Sequence, residues 1–427
     1  MLLIFSLLSS PRLQYICKFI FGEIYGLPYS ITIDDKGFES YEGPKINYSQ
    51  LSFPGAYHIL PHTLLFEKGI SPQSPDCTCE NETITFFNTP GADHSFDIFA
   101  ASFYLISRYE EYLPNAKDMY GRYAHENSLA HKEGFLHVPL INFWLNSFKE
   151  SLSAHFPVLK FKSEKFHFIP TYDIDIAWSY REKGILRNAA GFLKKPSAER
   201  IKTLFGKQKD PYDSYDFLNN VHAENTLNPR YFFLVAKQTG IYDKNILPAN
   251  KAMQQLIKRH ANKYDVGLHP SWKSNDEMKI LLDEKNNMEV ISDADISTSR
   301  QHYIKFHLPG TYQDLIKCGI TDDYSMGYGS INGFRASVAT SFLWYDISEE
   351  KTTSLRIHPF CFMDANCFYE QKLTLAESYK ELLHFYQTCR KVNGTLITIF
   401  HNNFFGTDKE FSGWKELYEN FIAQLPQ

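Results

Sequence analysis

The sequence contains no run of 18 apolar residues, no CxxC pair, no internal repeat and no excess of positive charge, and each absence removes a class of protein. Without a long apolar run there is no transmembrane helix. With 44 Lys and Arg against 49 Asp and Glu, a formal net charge of −5, no global positive field exists to hold nucleic acid. The seven cysteines (Cys17, Cys77, Cys79, Cys318, Cys361, Cys367, Cys389) form an odd set, so neither a disulfide framework nor a zinc knuckle is expected. Reduced thiols of a cytoplasmic protein fit this usage better. Cys77 and Cys79, one residue apart in a loop rich in Ser, Pro and Asp, are close enough to offer a metal two thiolates. The opening stretch from Met1 to Ser10 lacks a basic start and its apolar run is short, so it reads as a buried first strand rather than a secretory signal. Residues 12–25 then place Leu13, Ile16, Ile20 and Ile24 on one face of an amphipathic helix. Three N-x-S/T matches begin at Asn47, Asn81 and Asn393 and carry no weight in a cytoplasmic protein.

What is present is length and aromatic content. At roughly 100–200 residues per domain, 427 residues predict two domains. The aromatic share of 16% is high, and such residues either line sugar-binding clefts or fill cores and strands. In the first region a strand-like run covers Thr83 to Phe87. A helix from about Asp97 to Tyr112 follows, with Phe99, Phe103 and Ile106 on its face, and a second helix from about Pro139 to Leu152 carries Ile141, Trp144, Leu145 and Phe148. These predict a smaller α/β accessory domain over residues 1–162. The polar Ser163-Glu-Lys165 stretch marks the boundary, and residues 163–427 form the second domain.

From Phe166 onward, apolar strands end in polar or ionisable residues and alternate with helical stretches, the rhythm of a parallel β/α architecture. Four strand ends stand out: Phe166 to Asp175, Tyr264 to Ser271, Arg300 to Phe306, and Thr395 to His401. In a β/α barrel, catalytic groups collect at such C-terminal ends. Between the first two, residues 181–209 carry nine basic residues against two acids, Glu182 and Glu199, a local charge of +7. Apolar Ile185, Leu186, Phe192, Leu193, Ile201, Leu204 and Phe205 are interleaved there. The stretch is either a solvated helical insertion or a surface that touches anionic lipid or an anionic glycan carrier.

The first strand ends Thr171-Tyr-Asp-Ile-Asp175, and the i, i+2 spacing puts both carboxylates on one side of an extended strand. Two like charges so close need a cation between them, or one must hold a proton, so a metal site and an acid/base pair both satisfy the motif. The second strand delivers His269 beside Pro270, which stops further ladder pairing. In the third, Arg300 and His302 are again two apart, and Arg300 can grip a carboxylate in a bidentate pair. The last, Leu396 to His401, is a buried run ending in a histidine placed as a general acid, followed by Asn402 and Asn403.

This order of motifs resembles the polysaccharide deacetylase superfamily, the NodB-homology or family 4 carbohydrate esterases, whose strands carry T-F-D-D, H-S/T-x-x-H, R-x-P and L-x-H in sequence. The likeness spans roughly 260 residues. Asp323-Tyr-Ser-Met-Gly-Tyr328, Gly333-Phe-Arg-Ala336, Phe96-Asp-Ile-Phe-Ala100 and Ser107-Arg-Tyr-Glu-Glu-Tyr112 further resemble a Bacteroidetes-type branch with its own N-terminal domain. The resemblance implies a distorted (β/α) barrel. It implies Asp173 as general base, Asp175 and His269 as ligands of a divalent metal, zinc by preference, His401 as general acid, and Arg300 as the residue orienting Asp173. It implies a hydrolase that removes an N-acetyl group from an amino sugar of a cell-envelope or exopolysaccharide glycan or its glycolipid precursor, in the cytoplasm or at the inner membrane face. Tyr303, Asp323, Tyr328, Arg335 and Trp272 stand near the motifs as candidates for binding substrate. Two departures bear on activity. The family's second metal histidine would fall at Lys273, so His302, in place of the family proline, is the candidate third ligand; otherwise water or Ser271 fills the site, or no metal binds. The two acids are separated by Ile174 where adjacent aspartates are commonest. A catalytically silent glycan-binding module is the competing expectation.

Overall fold

The computed structural model describes residues 1–80, 83–194 and 196–425, so Asn81 of one N-x-S/T match and Lys195 of the basic stretch lie outside the described residues. Strands β1 (Leu2–Ser6), β2 (Tyr29–Thr32), β3 (Lys45–Tyr48) and β4 (Tyr57–Ile59) form a parallel sheet in the order β2-β1-β3-β4. The helix Pro11–Cys17 starts on a Ser10 cap with proline at its first position and runs on as a π-helical stretch, Lys18–Ile24. It buries Leu13, Ile16 and Ile20 fully and Ile24 in part. A small antiparallel hairpin, β5 (Thr78–Glu80) and β6 (Thr83–Thr85), follows.

The helix expected from Asp97 to Tyr112 is Ile98–Ile106. Asp97 caps it, its Oδ1 accepting the Phe99 and Ala100 amides at 3.0 Å. Arg108, at φ 56°, ends the helical path, and a 3₁₀ turn over Tyr109–Tyr112 follows. The cost of a left-handed arginine is offset by the ion pairs it makes from that position, described below. The helix Leu140–His155 extends one turn past the expected end.

The rest of the chain builds a nine-stranded sheet from β7 (His167–Ile174), β8 (Arg230–Leu234), β9 (Asp265–His269), β10 (Thr298–Ser299), β11 (Asp322–Asp323), β12 (Phe342–Asp346), β13 (Lys351–Ile357), β14 (Phe362–Met363) and β15 (Thr395–His401). The order is β12-β13-β11-β10-β9-β8-β7-β15-β14, and every pairing is parallel except β12 with β13. Near-continuous apolar runs such as Tyr231–Leu234 and Leu396–Phe400 are what a parallel sheet covered on both faces requires. No ladder among the described residues joins β12 to β14, so the architecture shown is a large parallel-rich sheet in a mixed α/β fold, without barrel closure.

Register does the positioning. His401 pairs with Asp173 across β15 and β7, and Leu234 with His269 across β8 and β9, so neighbouring strands stop at one level and their polar ends meet. The expected strand over Arg300 to Phe306 is corrected. β10 is only Thr298–Ser299, and the chain leaves the sheet at Arg300 into a turn with Tyr303 and Ile304 both at positive φ, 58° and 53°. That turn swings His302 over the strand ends, and the Arg122 guanidinium holds the Tyr303 carbonyl at 2.7 Å.

One contiguous buried apolar cluster includes residues of both sheets. Tyr15 donates its hydroxyl to the Leu343 carbonyl at 2.8 Å and packs its ring 5.0 Å from that of Tyr345.

Candidate active site

Asp173 is the penultimate residue of β7 and Asp175 follows that strand; His269 closes β9, Arg300 follows β10, Asp364 follows β14, and His401 closes β15. All are brought to the carboxyl ends of parallel strands. Asp173, Asp175, His269, His302 and His401 line a cavity of about 500 Å³, together with Tyr120, Arg122, Tyr242, Tyr303 and Phe404, and Arg300 and Asp364 act on it through Asp173 and His401.

Asp175 is the hub. His269 Nε2 lies 3.1 Å from its Oδ1, His302 Nε2 3.4 Å from its Oδ2, and His401 Nε2 3.7 Å from Oδ2. Each imidazole has its other nitrogen occupied. His269 Nδ1 contacts the Arg300 carbonyl at 2.6 Å, which makes Nδ1 the donor. His302 Nδ1 meets Asp243 at 3.0 Å, and His401 Nδ1 meets Asp364 at 2.6 Å. The Nε2 atoms therefore either present lone pairs to a carboxylate, which needs a cation between them, or carry protons themselves.

Burial raises the Asp175 carboxyl, but His302 and the other imidazoles outweigh it and hold the group well below the usual range. Burial lowers His302 and His401, yet Asp175 and Asp243 lift the first to about 9, and Asp364 with Asp175 lifts the second to about 10.

The donor set fits a divalent metal. Ligand atoms of Asp175, His269 and His302 lie within 4.8 Å of one another, and Asp175 Oδ1 is a buried acceptor that no well-directed hydrogen bond satisfies. One carboxylate and two imidazoles, each held by an outer partner, suit zinc and its first-row neighbours. Lys273 is exposed in the short turn Lys273–Asn275 and does not reach the cluster.

Asp173 stands beside this cluster with its Oδ1 held by Arg300 Nη1 at 2.9 Å and its Oδ2 3.8 Å from His269 Nε2. Arg300, fully buried, also donates to Thr171 Oγ1 at 2.7 Å and to the Tyr324 carbonyl at 3.0 Å, and lies 4.4 Å from the centre of the Phe232 ring. Every bond fixes the guanidinium plane, so one carboxylate oxygen of Asp173 is occupied and the other is left for chemistry.

Of the residues proposed to touch substrate, only Tyr303 lines the cavity. Trp272 instead stacks behind Tyr242, ring centres 3.9 Å apart, and it is Tyr242 that faces in. Asp323 is fully buried and accepts from Ser299, the Ser325 hydroxyl and the Ser325 amide. Arg335 is buried against Glu111, with contacts of 2.8 and 2.6 Å, and Tyr328 is buried with its hydroxyl 3.4 Å from Arg108. These three hold the wall together and are not available to a ligand. Cys77 and Cys79 are free thiols and do not belong to the metal-competent cluster found among the described residues.

Sequence reasoning missed Asp364, Asp243, Tyr120 and Arg122. A carboxylate one residue past a two-residue strand has no pattern of its own, and Asp243 lies in a loop nine residues beyond Leu234. Tyr120 and Arg122 come from a first region that showed no chemical motif.

Glu284 supports the site from behind, its carboxylate accepting the Ser271 amide at 2.9 Å, and burial pushes it up to about 7. A carboxyl raised on folding binds more protons folded than unfolded between about pH 4.3 and 7, so stability falls as pH rises through that window, by up to about 3 kcal/mol. Glu284→Gln is expected to flatten this slope, so that its melting temperature gains on the wild type between pH 5 and 8. A constant difference between the two proteins across that range would show that Glu284 does not titrate there.

Residues 2–157 match the family described as "Family of unknown function (DUF7033)". No curated protein sequence matches the chain. Among solved structures, this chain is similar to a protein described as a polysaccharide deacetylase from Mycobacterium smegmatis, at 13% identity over 62% of this chain and 86% of that one, TM-score 0.40. It is also similar to a mutant of BA3943, a CE4 family pseudoenzyme with restored enzymatic activity, at 7% identity over 62% and 64%, TM-score 0.30. The polysaccharide deacetylase Bc1974 from Bacillus cereus matches at 10% identity over 61% and 89%, TM-score 0.29.

Proposed function

We propose that this chain is a metal-dependent hydrolase that removes an N-linked acetyl group from an amino sugar of a cell-envelope or exopolysaccharide glycan or its precursor. The observation that carries the reading is the pair of buried dyads, Asp173 with Arg300 and His401 with Asp364, on either side of the Asp175, His269 and His302 donors. One dyad is arranged to accept a proton and the other to deliver one.

Asp175, His269 and His302 would hold a divalent cation, zinc by donor type, which when bound supplies Lewis-acid polarisation and a more acidic water. The chain's own residues do the rest. Asp173 accepts a proton from the attacking water at the oxygen Arg300 leaves uncovered. The water oxygen bonds to the acetamide carbon and the carbon–nitrogen bond breaks. His401, kept as imidazolium by Asp364, gives its Nε2 proton to the departing nitrogen, so acetate and the free amine leave. Tyr303, Tyr242 and Tyr120 offer ring faces to a sugar at the cavity wall.

The test is zinc content by elemental mass spectrometry on purified wild type, His269→Ala and His302→Ala after equilibration with zinc, alongside acetate release from N-acetylglucosamine oligomers. Near-stoichiometric zinc lost from both variants, with acetate released by the wild type, is the expected result. No zinc and no acetate would move the reading to a silent glycan-binding module.

The second dyad makes its own prediction. Asp364→Asn is expected to lower turnover roughly a hundredfold or more while zinc content stays unchanged. Because the Asp364 charge raises His401, its removal lowers the imidazole, and the alkaline limb of the pH–rate profile moves to lower pH. An unchanged limb would remove His401 from the acid role.

A further inference from the structure

Residues 181–209, which the proposed chemistry does not use, form a helical hairpin of Gly184–Lys194 and Ala198–Leu204. Six of the twenty large apolar side chains exposed among the described residues fall between Ile185 and Phe205. Ile185, Leu186, Leu193 and Phe205 are 87, 86, 83 and 76% exposed. A solvated surface helix has polar residues at such positions, and an exposed apolar group of this density marks a contact surface.

The charge around it is equally unbalanced. The stretch carries +7 and the whole chain −5, so the remaining residues sum to −12. Arg181, Lys183, Lys194, Lys202 and Lys207 make no salt bridge among the described residues. Lys183, half-buried, is pushed down to about 8, by burial first and then by Arg187, Arg200 and Lys244, against Asp210, which raises it. The hairpin is also tied down. Arg187 donates to the Lys244 carbonyl at 3.1 Å, which ties the first helix to the rest of the protein, and Arg200 donates to the Asn188 carbonyl at 2.8 Å, which joins the two helices.

We propose that this hairpin docks the protein on an anionic lipid bilayer, with Ile185, Leu186, Leu193 and Phe205 entering the headgroup boundary and the surrounding lysines and arginines meeting anionic headgroups. Charge complementarity selects this occupant. A second copy meeting this face with its own would set +7 against +7, and a neutral apolar partner would leave the cations unanswered. The −12 remainder is repelled by the same surface, which leaves one orientation for docking. Residues at both ends of the insertion, Ile176 and Tyr212, line the catalytic cavity, so docking brings the rim of that cavity to the bilayer. A substrate carried on lipid would meet it there. The docking itself stands whether or not the site is a deacetylase.

The full chain is tested by flotation with vesicles of phosphatidylcholine containing about 30 mol% phosphatidylserine, and with phosphatidylcholine alone, at low and high salt. Wild type is expected to float with the anionic vesicles only, and less at high salt. Lys194→Glu/Lys202→Glu/Lys207→Glu is expected to weaken binding by roughly a hundredfold. Leu186→Ser/Leu193→Ser/Phe205→Ser is expected to abolish the part of binding that survives high salt. All six residues are solvent-facing, and circular dichroism with an unchanged melting temperature checks that the variants fold. No flotation of the wild type at low salt, or flotation that neither variant alters, would overturn the proposal. So would a wild-type dimer in sedimentation velocity that the apolar variant dissociates, since the face would then belong to a second copy.

Discussion

Asp175→Ala is expected to lose zinc at least a hundredfold more readily than the wild type and to lose turnover with it, whereas Asp173→Asn keeps zinc and loses only turnover, by roughly 10²–10⁴-fold. The two aspartates are two residues apart and share a face of the chain, yet their surroundings differ. Asp173 is bound through one oxygen by Arg300, which needs no metal to hold it. Among the described residues Asp175 has no ionic partner other than the three imidazoles around it, and its buried Oδ1 has no satisfactory donor. Removing it takes away the one negative charge on which the Nε2 atoms converge. Removing the Asp173 charge leaves that convergence intact. Isothermal titration with zinc and acetate release, run on both variants, check the split. Equal loss of metal in the two would mean that Asp173 is also a ligand, and the acceptor of the water proton would have to be sought elsewhere.

How much of this was visible beforehand depends on the kind of residue. Asp173, Asp175, His269 and His401 end apolar runs long enough to read as strands, and a parallel sheet collects strand ends, so their meeting followed from pattern alone. His302 was legible as a candidate only through its place after Arg300. Its delivery depends on a turn with two non-glycine residues at positive φ, which no propensity predicts and which Arg122, 180 residues earlier than His302, helps to hold. Asp243 and Asp364 act by orienting imidazoles over separations of 59 and 37 residues, and such partnership leaves no local trace. Asp323, Tyr328 and Arg335 misled for a related reason. Charged and aromatic residues in a motif suggest a ligand, but here their partners are buried protein groups, and burial cannot be read from identity.

Those misread residues lead to the largest expected effect on stability. Glu111 accepts from Arg335 through both oxygens, at 2.8 and 2.6 Å, and from Arg108 at 2.8 Å, with every partner buried. Arg335 reaches on to the Gly327 carbonyl and sits 4.1 Å from the centre of the Phe306 ring, so one carboxylate from the first region anchors the wall behind the cavity in the second. Glu111→Ala leaves the buried Arg335 guanidinium without an anion while Arg108 keeps Glu110 at 2.6 Å, and is expected to cost about 3–5 kcal/mol, because the penalty is that of an uncompensated buried charge rather than of one lost contact. The pH dependence has a definite sign. Burial raises the Glu111 carboxyl, but Arg335 and Arg108 outweigh it and hold it down at about 2. Its stabilisation is therefore complete above the unfolded value of about 4.3 and lost as pH falls toward 2. Melting temperatures of wild type and variant should differ widely at pH 7 and converge toward pH 3. A gap that persists unchanged into acid would assign the loss to packing around Glu111 rather than to its charge.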